Sequence, residues 1–348
     1  MNKKKYIILT VSAAATLLSV VYIFPLTGYN NFTENYRIPH SMNEDYYLYK
    51  MYSKHTASGT ASNSLIQVIG DSVIWGHYVS DEDTLTACLN RSTKNKKFAN
   101  MGLEGSYPIV MNGLIENFSS GLKNRKIIVG FNLLWISSQK HDLSGEPESN
   151  INHKRVLPQI YPVIPSYNPN IEDRLSAIVS RCNLLLLIEH IKMSRFKEKN
   201  FYSWTMEHPH NNIIDYFTNR EVPIYTPTAA MRLDQMHEQN IDWVPIEKSM
   251  QWKFMLKTIA YLKRNGNYII VLITPFNTYM ITDKSRERYY SIISDISEEL
   301  SKNSIDFIIP VIDEKKHFAD SSHFTAEGYR AMAKNLLSNK KFQIFLER

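Results

Sequence analysis

The sequence predicts an α/β protein: a three-layer α/β/α sandwich with a central parallel sheet, preceded by a transmembrane helix. Three observations carry that expectation. Short apolar runs alternate along the chain with longer segments of helical periodicity. Alternation of this kind implies crossover connections and a parallel sheet covered on both faces. The third observation is the start of the chain, where Met1-Asn2-Lys3-Lys4-Lys5 leads into residues 6–24 without a single charged side chain.

A helix over 6–24 rises about 1.5 Å per residue and so spans roughly the hydrocarbon thickness of a bilayer. Lysines before it, and no basic cluster immediately after it, favour the amino end inside and the rest of the chain outside the cytoplasm. A cleaved signal peptide is the competing reading. Its apolar stretch would be shorter and would lead to a small-x-small site, whereas Ala13-Ala14-Ala15 falls in mid-segment and the segment ends in Val-Tyr-Ile-Phe-Pro. The expectation is an anchor at 1–24 that places the protein in the cell membrane, single-pass, with its main domain on the extracytoplasmic side.

Residues 25–64 read as a stalk and linker. Ser41-Met42-Asn43-Glu44 has capping-box spacing and predicts a short helix to about Lys54. The tyrosines at 46, 47, 49 and 52 are expected to pack the stalk onto the main domain or the membrane interface rather than to bind a ligand. The small polar residues 56–64 make a linker. Strands are expected at 65–69, 97–101, 126–135, 268–274 and 305–312, the third being central by its run of apolar residues. Helices are expected at 84–89, 110–118, 246–264, 286–302 and 326–337. The helix at 246–264 has Met250, Phe254, Met255, Ile259 and Leu262 on one face and stops at Asn265-Gly266. The main domain thus covers 65–340, with a tail at 341–348. Residues 137–245 break its rhythm, being rich in Pro, Asn and His with one clear helix at 171–196. An insertion of that size usually covers or shapes a site, and it is read as a cap.

The 348 residues, 43% hydrophobic and 21% charged, suffice for a sizeable core. The net charge of +6 is spread along the chain without an arginine-rich, aromatic-interleaved stripe, which argues against a nucleic-acid partner. Cys88 and Cys182 sit in apolar helix-like surroundings and read as buried free thiols, a disulfide being permitted but not demanded. No zinc pattern occurs among the eleven histidines. His208-Pro209-His210 is the nearest approach to a cluster, and its proline argues for a loop. Neither a metal nor a cofactor is expected.

The chemistry concentrates at strand ends. Gly70-Asp71-Ser72 closes the first apolar run and puts a hydroxyl where a strand stops and a helix begins, beside free backbone N–H groups. Asn100-Met101-Gly102-Leu103-Glu104-Gly105 and Gly130-Phe131-Asn132 lie at or beside two further strand ends. Asp320-Ser321-Ser322-His323 offers a carboxylate and a base just before the closing helix. Taken singly, Ser72 reads as an N-cap, Asn132 as a strand-end hydrogen-bonding residue and His323 as a partly buried cap. Together they supply a nucleophile, oxyanion donors and a base. Asp71 is assigned to bonding the turn around Ser72, and His77 to the border of the site or to solvent. His317 is the weaker candidate base, because only His323 stands three residues after Asp320.

This ordered set resembles the SGNH hydrolases, or GDSL family, of serine esterases and acyltransferases. The resemblance covers roughly 62–136 and 248–340. It implies a flavodoxin-like sandwich in which Ser72, Asp320 and His323 are catalytic, while Ser72, Gly105 and Asn132 form the oxyanion hole. The acidic residue usual after the third-block Asn is replaced by Leu133. With the amino-terminal segment, the resemblance implies a membrane-anchored O-acyl esterase or O-acyltransferase. Its substrates would be acylated envelope carbohydrates or glycolipids, and its partner a membrane-bound O-acyltransferase. A lipid-directed esterase or thioesterase, and an assembly protein that keeps the fold without turnover, are the alternative readings.

Overall fold

Five apolar runs form one sheet. The computed structural model describes residues 32–58, 65–93, 97–119, 121–147, 150–196, 225–312 and 314–347, with scattered positions within 6–16 and at 203, 206 and 207. The strands are β1 (Ile66–Gly70), β2 (Phe98–Gly102), β3 (Lys126–Asn132), β4 (Tyr268–Thr274) and β5 (Asp306–Ile308). All pair in parallel in the order β2-β1-β3-β4-β5. Val68 of β1, for example, stands opposite Asn100 of β2 and Ile128 of β3.

The order reverses between β1 and β3, and the carboxyl ends of strands flanking such a reversal are where open parallel sheets bind ligands. Ser72 and Asn132 stand there, one just past β1 and the other closing β3.

Alternation along the strands divides the core in two. Ile127, Val129 and Phe131 of β3, with Ile269, Val271 and Ile273 of β4, face one apolar cluster. Ile128, Ile270 and Leu272 face the other. Parallel strands covered on both sides have no polar face, which is why these runs read as continuously apolar.

The helices, in chain order, are α1 (Tyr46–Thr56), α2 (Ser72–Trp75), α3 (Leu85–Ser92), α4 (Pro108–Phe118) and α5 (Gln139–Asp142). They continue with α6 (Ile171–Val179), α7 (Asn183–Phe196), α8 (Met250–Arg264), α9 (Asp283–Lys302), α10 (Ala326–Ser338) and α11 (Lys340–Glu347). Side chains of α1, α4, α8 and α9 fill the first cluster, and those of α2, α3, α10 and α11 the second.

Several expectations need correction. The N-cap of α1 is Asp45, whose carboxylate accepts from Leu48 N at 2.8 Å, rather than Ser41. Glu44 is thereby free to accept the His153 backbone N–H at 3.0 Å. Of the two fates expected for Tyr46, Tyr47, Tyr49 and Tyr52, packing onto the main domain is the one found, since all four are buried in its core. The helix expected over 171–196 is two. Hydrogen bonds from Arg181 N to Ile178 O and from Cys182 N to Val179 O tighten the chain, and α7 restarts at Asn183. Cys182 is consequently exposed, Cys88 is buried, and both are free thiols.

Strand β3 stops at Asn132 rather than running to 135. The Asn132 Oδ1 accepts from Leu134 N at 3.0 Å and turns the chain into a 3₁₀ segment, Leu133–Ile136. Strand β5 is three residues long, with Pro310 two residues beyond its end. Where a tail was expected, α11 buries Phe342 and Phe345.

The apolar segment 6–24 lies mostly, and the His208-Pro209-His210 group wholly, outside the described residues. Among the described residues no helix is long and apolar enough to cross a membrane.

Candidate active site

Ser72 owes its position to the turn that ends β1. Asp71 caps α2 by accepting Val73 N at 3.0 Å, which leaves Ser72 as the first helical residue. Such a residue has no intrahelical partner for its own N–H. Gly76, at φ +94, ends the helix one turn later. Arg37 braces that end, donating to the carbonyls of Gly76 at 2.7 Å and Val79 at 2.9 Å while stacking 4.2 Å from the Trp75 ring. Burial lowers its pKa against the pull of Asp81.

Behind the serine, β2 presses against the α2 backbone. A Cβ on Gly102 would fall 2.4 Å from Trp75 N, so no larger residue fits there. From the opposite face Tyr329 of α10 donates its buried hydroxyl to Val73 O at 2.5 Å.

That helix also brings the base. Ser72 Oγ and His323 Nε2 are 2.7 Å apart across 251 residues of sequence. His323 Nδ1 lies 2.8 Å and 3.0 Å from the two Asp320 oxygens. With Nδ1–H donating to the carboxylate, Nε2 is left as an acceptor and the Ser72 hydroxyl donates to it. Asp320 is itself held by the backbone N–H groups of Ser322 and His323, both at 2.8 Å.

Burial disfavours charge on both partners, yet their mutual attraction prevails. The Asp320 carboxyl is brought down to about 2 by the bond to His323, its charge and the two backbone donors. The imidazole of His323 is raised above its ordinary value by Asp320, with smaller contributions from Asp71 and Glu104. His317 faces Glu314 at 3.9 Å, and its carbonyl accepts Thr325 N; the imidazole against Ser72 is that of His323.

The expected oxyanion donors stand on three neighbouring strand ends. Gly105 turns the chain after β2 at φ +69, a left-handed conformation that costs glycine nothing. The turn is fastened to β1 by bonds from Leu103 N and Ser106 Oγ to Gly70 O. Asn132 donates one amide N–H to Asp71 Oδ2 at 2.9 Å, and a carboxamide has a second to offer. Trp135 Nε1 donates to the same Asp71 oxygen at 2.7 Å. Asp71 is therefore more than a local turn residue. Burial raises its pKa against these donors and the nearby His323.

Sequence reasoning missed Trp135, Glu104 and Tyr78. Glu104 Oε2 lies 3.0 Å from His77 Nδ1, and the His77 and Tyr78 rings each stand 5.4 Å from that of His323. Burial, with Asp320 nearby, pushes the Tyr78 phenol up to about 12. The insertion reaches the site too. Tyr225 donates to His77 O, and buried His153 bonds Glu104 O at 3.0 Å, next to Gly105. No signal in the sequence ties 153 to 104, and the one local pointer to Trp135 is its place three residues after the Asn of the Gly-x-Asn block.

In comparison with known proteins, no family model and no curated protein matches this chain. Among the described residues no group of three His, Cys, Asp or Glu side chains is placed to hold a metal ion.

Proposed function

We propose that this chain is a serine O-acyl esterase or O-acyltransferase of the SGNH type, working through an acyl-serine intermediate. The observation that carries the reading is the 2.7 Å contact between Ser72 Oγ and His323 Nε2, with Asp320 on the far side of the ring. Support also comes from the sheet order, which puts the serine, Gly105 and Asn132 at adjoining strand ends.

In the proposed reaction, Ser72 Oγ attacks the ester carbonyl as its proton passes to His323 Nε2. The carbonyl oxygen becomes an oxyanion that accepts from the N–H groups of Ser72 and Gly105 and the second amide N–H of Asn132. Collapse breaks the C–O bond, and His323 returns the proton to the departing alcohol. Asp320 keeps the imidazole in the working tautomer and stabilises its charged form. Water then releases the acyl group, or a sugar hydroxyl takes it, with His323 removing the proton of either.

We place the protein in the cell membrane through residues 6–24, with the catalytic domain outside the cytoplasm. Its substrates are then acylated carbohydrates or glycolipids of the envelope, and an exporting membrane-bound O-acyltransferase is its proposed partner. Release of acetate from p-nitrophenyl acetate and acetylated glycans tests the chemistry, with Ser72→Ala alongside. Equal behaviour of the two proteins across a broad panel of esters would end the reading. Extraction of the full chain by carbonate, without detergent, would refute the anchor.

A further inference from the structure

A pocket of about 160 Å³ adjoins the catalytic constellation where the β2–α4 turn meets the insertion. Gly105, the expected oxyanion donor, is one of its lining residues. Tyr107 and Trp135 contribute aromatic rings whose centroids are 5.4 Å apart at an interplanar angle of 47°. Leu143 and Ile151 add aliphatic surface, and the exposed Asn152 contributes a carboxamide. From this we infer a subsite for one hexopyranose ring of the acyl donor or acceptor, an inference that rests on the acyl-transfer reading.

Size is the first argument. A cavity of about 150 Å³ takes a single benzene ring, so this one suits a six-membered ring rather than a folded long acyl chain. Chemistry is the second. A pyranose has C–H faces that pack on aromatic and aliphatic walls, and a belt of hydroxyls that must be hydrogen-bonded when withdrawn from water. Rings and aliphatics beside the side chains of Asn150, Asn152, Lys140 and His141, all able to donate to hydroxyl oxygens, meet both needs.

Position is the third. The same indole that walls the pocket donates to Asp71, the carboxylate that holds Asn132. Its ring plane is thereby fixed relative to the catalytic turn. Asn152 is set in turn by the Tyr107 hydroxyl, which donates to its carbonyl at 3.0 Å. A sugar resting on Trp135 would be held in register with Gly105 through rigid neighbours.

The test uses the full-length Ser72→Ala protein, in which binding is read without turnover. Cello-, chito- and manno-oligosaccharides are titrated by saturation-transfer NMR and tryptophan fluorescence, with hexanoate as the acyl-chain probe. At least one pyranose oligomer should bind, and Asn152→Ala should weaken it about tenfold, the worth of one good polar contact. Asn152→Trp, which fills the pocket, should abolish binding. Asn152 is exposed, so the alanine variant keeps the test decisive even if the bulky one misfolds. No pyranose binding at millimolar concentration, competition by hexanoate, or an Asn152→Ala protein that binds like its parent would each overturn the subsite. Sugar binding together with a wild-type protein that never acylates Ser72 would instead remove the enzymatic reading and leave the subsite standing.

Discussion

Asp71 holds Asn132 from the neighbouring strand end, its Oδ2 accepting the carboxamide at 2.9 Å. The residue directly after Asn132 is Leu133, which cannot give that support. A carboxylate sixty-one positions away does so instead, and the same carboxylate caps the helix bearing Ser72. Ser72 and the Asn132 carboxamide are thus aligned by one side chain. Asn132→Ala should lower kcat on p-nitrophenyl acetate by about 10²–10³ with little change in KM, the usual effect of deleting one oxyanion donor. An equal loss through KM alone would assign Asn132 to ground-state binding.

Trp135→Phe keeps an aromatic ring but deletes the N–H that reaches Asp71. The buried carboxylate then loses one of its donors and its hold on Asn132 slackens. We expect kcat on p-nitrophenyl acetate to fall about tenfold, in line with the loss of one hydrogen bond to a charged group. Steady-state kinetics with a matched melting curve separate this from unfolding.

The pH profile follows from His323. The base must be neutral to accept the Ser72 proton, and its pKa is raised above the ordinary 6.5 despite burial. Activity should therefore climb with pH, with kcat/KM inflecting above 6.5. Asp320→Asn removes the main raising influence and leaves burial opposed only by Asp71 and Glu104, so the inflection should move down while the rate drops by about 10³–10⁴. Stability runs by the same signs. The His323 contribution is present in full below 6.5 and fades as pH rises through its folded value, whereas that of Asp320 is present above 3.8 and fades as pH falls toward about 2. Urea midpoints measured across this range check both limbs.

Gly105→Ala places a Cβ at φ +69, with Asn152 Nδ2 only 3.1 Å away. The left-handed conformation alone costs an L-residue about 1–2 kcal/mol. Both the melting temperature and acylation of Ser72 should fall, because relief of the strain turns the N–H at 105. Calorimetry and burst kinetics on the same sample report the two losses.

Much of this organisation was legible in the chain. Parallel strands buried on both faces leave long apolar runs, and β1, β2 and β4 fall within a residue of where those runs predict them. That Ser72 and Asn132 would stand at strand ends, and Asp320 and His323 just before a closing helix, was legible from the apolar runs on either side of them. What escaped was set by contacts distant in sequence. Asp45 caps α1 while Glu44 is taken up by His153 from the insertion, and nothing local distinguishes Asp45 from Ser41 as the cap. The break between α6 and α7 leaves no Gly or Pro in the sequence, and Phe342 and Phe345 look like tail residues until Phe98 supplies a ring to stack on one of them. Trp135 and Asp71 are partners only once β1 and β3 lie side by side.

Tyr329→Phe removes the hydroxyl that satisfies Val73 O and leaves that buried carbonyl without it. A loss of about 1–3 kcal/mol is expected by urea denaturation. If the variant instead matches the parent in stability, the bond to Val73 contributes nothing measurable to the hold on α10.

The bond from Tyr329 to Val73 also has a temporal meaning. The alcohol of Ser72 emerges early in synthesis, but the imidazole that bonds it and the phenol that clamps the two segments arrive some 250 residues later. A nascent or clipped polypeptide lacking that region carries only an ordinary, unreactive hydroxyl. On the proposed reading, competence for catalysis waits until the segment carrying His323 and Tyr329 has been made and has met the strand that ends at Gly70.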